Sequence, residues 1–171
     1  MKRISLYDWV QLITGFAIVI GIVLVLVEQY QARVIAEIQL ARDMYADNFA
    51  FKRQIMGENP APTLAKSCLE PDKLSESELA VALAYHDYRY DSMVLMKRIA
   101  ETVGMGADWK ETSLVHMRAI LSTPLGRTDF RLFGDDPTRW DPDIAEFARE
   151  VMADLEDIRC ENLYGRLMES L

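Results

Sequence analysis

The chain has 171 residues, a formal net charge of −8 and an apolar half. That composition excludes intrinsic disorder, and the net acidity excludes nucleic acid as a partner, because an acidic domain gains nothing from counterion release. Once an N-terminal apolar run is set aside, the rest is long enough for one hydrophobic core without metal or disulfide staples.

Residues 9–27 read WVQLITGFAIVIGIVLVLV, with no charge and only Gln11 and Thr14 strongly polar. As a helix the run is roughly 28 Å long, close to the apolar thickness of a bilayer. Tyr7 and Trp9 flank one end and Tyr30 the other, as suits rings that prefer the headgroup interface. A cleaved signal peptide fits less well, because Glu28-Gln29-Tyr30-Gln31-Ala32 offers no small-x-small cleavage pattern. Ala17 and Gly21 permit close helix packing inside the membrane. The expected location is therefore the cell inner membrane, single-pass, with the lipid bilayer as first partner. Lys2 and Arg3 before the run balance Arg33 and Arg42 after it. The tighter pair leans toward a cytoplasmic N-terminus with the domain outside, but leaves the side open.

The pattern after the membrane is helical. Val34, Ile38, Ala41, Tyr45, Phe49 and Met56 form one stripe, interrupted by Lys52. The spacing predicts one helix from about residue 5 to Met56, ended by Gly57, Asn59, Pro60 and Pro62. We expect a membrane anchor over 1–30 and a helical domain over 31–171. Residues 57–74 read as a connector with one short helical turn around Leu64–Cys68.

Ser75-Glu76-Ser77-Glu78 is a capping box and predicts a helix to Val103, stopped by Gly104-Met105-Gly106. Leu79, Leu83, His86, Tyr90 and Val94 share one face of it, and Val81, Tyr88, Leu95 and Ile99 another. Apolar on two sides, this helix belongs in the middle of a bundle. A further helix is expected over 108–121, with Trp109, Leu114, Met117, Ile120 and Leu121 on its stripe. Thr123-Pro124 and Asp141-Pro142 each pair a cap with a proline at the first helical position. The first opens a short helix to Phe133, and the second opens a last long helix through Ile144, Phe147, Ala148, Val151, Leu155 and Ile158. The fold class expected is all-α: a single N-terminal transmembrane helix continuing into a small helical bundle.

Leu74-Ser75 with its acidic helix start, Trp109 opening a helix, and Leu121-x-x-Pro124-x-Gly126-Arg127 resemble an uncharacterised family of small bacterial proteins. Its members have an N-terminal membrane helix and an all-helical domain. The likeness covers most of the part beyond the membrane, on scattered positions. It departs at Thr128-Asp129-Phe130, where members often carry a tryptophan pair. Members also tend to carry more arginines after the membrane helix. That implies a cytoplasmic domain, against the lean of Lys2 and Arg3. The resemblance implies architecture and no activity.

Chemistry-bearing patterns are sparse. The histidines are His86 and His116, and the residues three before them, Leu83 and Ser113, rule out a Glu-x-x-His di-iron pattern. Cys68 and Cys160 have no zinc-ligand spacing. They are expected as two unpaired, partly buried thiols, with a disulfide open to them if the domain lies outside the cytoplasm. No metal, cofactor or catalytic residue is expected. His86 reads as a core histidine with one satisfied ring nitrogen, rather than a general base or pH switch. Asp87 and Asp91 beside Arg98 read as a solvated acidic face, and Trp109 and Trp140 as packing.

The function expected is a membrane-anchored helical protein-interaction module without catalysis. Its partner would be another protein or a second copy of the chain, and its candidate contact surface is Val34, Ile38, Tyr164, Leu167 and Met168. The alternative is a small-ligand sensor or enzyme with a site around His86 and Trp109, drawing on Arg89 and Tyr90. A cavity converging polar groups there would favour the alternative.

Overall fold

The computed structural model describes residues 6–104, 109–153 and 159–160. Among them every regular element is helical: α1 (Leu6–Met56), α2 (Ala61–Leu69), α3 (Glu76–Val103), α4 (Trp109–Leu121), α5 (Pro124–Phe133) and α6 (Pro142–Ala153), with a 3-10 turn at Pro71–Lys73. Leu155 and Ile158 of the expected last helix, and the C-terminal candidates Tyr164, Leu167 and Met168, lie outside the described residues, as do Lys2, Arg3, Met105, Gly106 and Asp108.

The chain divides between Leu40 and Ala41 into two units. The first contains the N-terminal part of α1. It is long and apolar enough to cross a membrane, with none of its apolar window buried in protein. Thr14 Oγ1 donates to the Val10 carbonyl at 2.9 Å, so one of the run's two polar side chains is satisfied within the helix, as a lipid environment would require. Beyond the run, Val34 and Ile38 are half-buried, whereas Ile35 and Leu40 are exposed.

The second unit is a helical bundle built around α3. Its start is the expected capping box: the Glu78 amide donates to Ser75 Oγ at 3.3 Å and the Ser75 amide to Glu78 Oε2 at 2.8 Å. Lys66 adds an ion pair to the same carboxylate at 2.7 Å. Together, Lys66 first, these bonds pull the Glu78 pKa down to about 2. The helix ends at Gly104, whose φ of 75° is the left-handed conformation that a glycine cap takes without steric cost. Ala82, Ala84, His86, Ser92, Met93 and Ala100 are its buried positions. Leu79, expected on the buried stripe, is exposed.

One side of α3 packs on α4, and α4 in turn on α6. Met93, Met117, Leu121 and Ile144 are fully buried there, with the Trp109 and Phe147 rings edge-to-face at 5.5 Å. The turn from α4 into α5 is tight. Thr123 caps α5 by accepting from the Gly126 amide at 3.1 Å. A Cβ at Gly126 would stand 2.1 Å from the Ile120 carbonyl oxygen, so no larger residue fits. The buried Arg127 reaches back to the carbonyls of Leu121 and Ser122 at 3.2 and 2.6 Å. The Pro124-x-Gly126-Arg127 pattern thus builds this corner.

Two expectations need correction. The connector after α1 holds a nine-residue helix, α2, rather than one turn. Pro62 lies in its first turn, where a missing N–H costs nothing. The cysteines are not free: Cys68 on α2 is bonded to Cys160, with Cα atoms 5.9 Å apart. The Cys160 amide is held by the Ser122 carbonyl at 3.1 Å, which brings it to the α4–α5 corner. A bridge spanning 92 residues restricts the unfolded chain strongly, contributing about 4–5 kcal/mol in the chain-entropy account.

Candidate functional site

The other side of α3 faces a cavity of about 300 Å³, bounded also by the end of α1, by α5 and by the loop before α6. Its floor is made by the buried residues His86, Ile120, Gly126 and Trp140, and its mouth by the exposed Asp87, Thr138 and Arg139. The walls are Lys52, Tyr90, Asp91 and Asp129.

α1 supplies Lys52. It is no mere interruption of the apolar stripe, since its side chain is 12% exposed and its ammonium lies 2.5 Å from Asp91 Oδ2. Asn48 donates to the same oxygen at 2.6 Å. Asp91 and Asp87 are one turn apart on α3 and line the cavity together. Asp91, paired with Lys52, is therefore not the solvated residue expected, whereas Asp87 is exposed as expected; Arg98 lies 4.0 Å from the Met44 sulfur.

On the far side, Asp129 of α5 accepts from Arg139 and, at 3.3 Å, from the Trp140 indole N–H. The Arg139 guanidinium also covers the Phe133 ring at 4.5 Å. The Trp140 ring is packed edge-on against both Tyr90 and Phe130 at 5.0 and 4.9 Å. Tyr90 Oη accepts from the Asp141 amide at 2.7 Å. Asp141 caps α6 and takes an ion pair from Lys97 at 2.8 Å. Each wall is thus fixed by a hydrogen bond or ion pair to its own neighbours.

Two groups stand apart from this pairing. His86 is the core histidine expected: Nε2 meets Thr123 Oγ1 at 3.0 Å, while Nδ1 is buried with no partner. Thr123 has one hydroxyl proton, and its oxygen also lies 2.9 Å from the Ile120 carbonyl. All three contacts at Thr123 are satisfied when the neutral ring carries its proton on Nε2, so the bare Nδ1 is an acceptor. Burial holds the His86 pKa down at about 4, opposed weakly by Asp129. Asp87 forms no hydrogen bond among the described residues. Although the residue is exposed at the mouth, the surrounding cavity walls partly desolvate its carboxyl and raise its pKa; Lys52 and Arg139 pull against this, and Asp91 and Asp129 add to it.

The residues suggested from sequence are only partly brought together. His86 and Tyr90 line the cavity. Trp109 lies in the apolar core. Arg89 packs over Tyr85 at 5.0 Å and reaches His116 Nδ1 at 3.4 Å. Lys52, Asp129 and Arg139 were not foreseen. Lys52 lies far in sequence from Asp129 and Arg139, and no local pattern marks any of them. Among the described residues no three His, Cys, Asp or Glu side chains are grouped to hold a metal ion. No protein family, curated protein or solved structure matches the chain.

Proposed function

We propose that this is a single-pass inner-membrane protein whose helical domain stands outside the cytoplasm and binds a small ligand without transforming it. The observation that carries the binding role is the cavity, of ligand size, with charged walls fixed in advance by their own ion pairs. Preorganised walls lower the ordering cost of binding. The Cys68–Cys160 bridge supports the extracytoplasmic side, because such bonds persist in oxidising compartments. It agrees with the lean from Lys2 and Arg3, against the side that the family resemblance implies.

Full-length protein in mild detergent, tested against small cations, anions and neutral compounds, should gain thermal stability from at least one class. Thr138→Trp, which narrows the mouth from an exposed position, should abolish the gain. A gain that survives Thr138→Trp, or none from any class, would reject the binding role. For the side of the membrane, thiols should be blocked before lysis. Recovery of Cys68 and Cys160 as free thiols would put the domain in the cytoplasm.

A second reading is a protein-interaction module, or self-association along the part of α1 near Val34 and Ile38. It is favoured by large apolar side chains left exposed on α1 past the apolar run: Ile35 at 56% and Leu40, Met44 and Phe51 each at 62%. A photo-crosslinker replacing Ile35 or Leu40 should then capture a second copy or another protein in membranes, and absence of any adduct counts against it.

A further inference from the structure

We propose that the ligand of this cavity is a small protonated amine, held between Asp87 and Asp91 at the mouth. This rests on the binding role proposed above and names its chemistry. The lining holds three carboxylates, Asp87, Asp91 and Asp129, against two cations, Lys52 and Arg139. The cations are already engaged: Lys52 by Asp91, and Arg139 by Asp129 with its planar face on Phe133. An anionic ligand would meet three carboxylates against two cations whose charge is already balanced by Asp91 and Asp129. A cation meets the net negative charge and leaves both pairs in place.

The unused acceptors sit together. Asp129 commits one oxygen to Arg139 and the other to Trp140. Asp91 commits Oδ2 to Lys52 and Asn48, and no bond is formed by Oδ1 among the described residues. Asp87 has both oxygens open among the described residues. Because Asp87 and Asp91 are four residues apart on α3, their carboxylates project from the same face. The floor beneath is polar as well: His86 is 7% exposed, and its Nδ1 is a buried acceptor without a donor. The open carboxylate oxygens and His86 Nδ1 all accept, and a ligand rich in N–H donors matches them.

A metal ion fits less well, since no three ligating side chains converge there among the described residues and hard divalent ions take six or more oxygen ligands. An ammonium group needs only three acceptors. The Tyr90 and Trp140 rings supply apolar wall for its carbon skeleton.

The test is calorimetric titration of the full chain in detergent with tyramine and putrescine, alongside acetate and glycerol as anionic and neutral probes of the same cavity. At least one amine should bind, more weakly as salt rises. Asp87→Asn, an exposed and unbonded position whose change leaves the fold intact, should weaken it roughly tenfold or more, as expected for a lost charged hydrogen bond. Asp87→Lys should abolish it. Binding of acetate or glycerol that Thr138→Trp blocks, with neither amine bound, would overturn the amine assignment and leave the binding role standing. Amine binding unchanged in Asp87→Asn would overturn the assignment to this site. No binding by any of the four probes would overturn the amine assignment, and the broader ligand panel then decides the binding role separately.

Discussion

Helix α3 has two sides with opposite chemistry. Toward α4 it meets Met117 and Leu121, with Ile144 of α6 in the same core, all nearly or fully buried. Toward the end of α1 and α5 it meets a water-accessible cavity lined with five charged side chains. The first side is a buried apolar core, and in such a core every lost methylene is felt. The second is held open by ion pairs that fix its walls. Stability should therefore reside mostly on one side of a single helix and recognition mostly on the other. His86 stands at the border, buried on the stability side yet lining the cavity.

Substitutions can break or sharpen that contrast. Ile144→Ala, in the filled side, should cost about 3 kcal/mol by denaturant titration, since a fully buried isoleucine leaves a cavity behind. A cost below about 1 kcal/mol would mean the packed side is looser than described.

At the border, pH is the probe. The folded His86 ring takes a proton only near pH 4, whereas in the unfolded chain it does so near 6.5. Between those values the unfolded state holds more protons. Stability should be fully present above pH 6.5 and fall as pH drops toward 4, by up to about 3 kcal/mol. His86→Gln should lose that part of the slope, and an unchanged slope would place the titration elsewhere.

Ser75→Ala, at the start of the same helix and on neither side, should cost about 1 kcal/mol by loss of the cap. Smallest of all should be Asp87→Asn on the open side, within about 0.5 kcal/mol in the absence of ligand, as for other exposed positions without bonds. A large loss there would show that Asp87 holds the structure rather than a ligand.

The contrast also explains what could be read from sequence. Helix ends were legible because caps are local: Ser75 with Glu78, Thr123 with Pro124, and Gly104 each carry their own chemistry within a few residues. Pro60 and Pro62 misled for the same reason. Both read as breakers, yet Pro62 sits in the first turn of α2, where proline is tolerated. The core was legible at Trp109, Met117 and Ile144, which recur at helical spacing. The cavity was not. Lys52 looked like a flaw in an apolar stripe, and Asp91 like surface, until folding set them 2.5 Å apart. Their sequence separation of 39 residues carries no periodic signal.

The bond between Cys68 and Cys160 also sets an order in time. The two residues are 92 positions apart, so at ordinary rates of synthesis the second follows the first by roughly 5–20 s. Throughout that interval Cys68 is a lone thiol on an unfinished domain, and any oxidation then must join it to something other than its partner. Closure therefore comes only after α6 has been made, as a late step. Halting the chain before Cys160 should leave Cys68 open to mixed disulfides with small thiols or other chains.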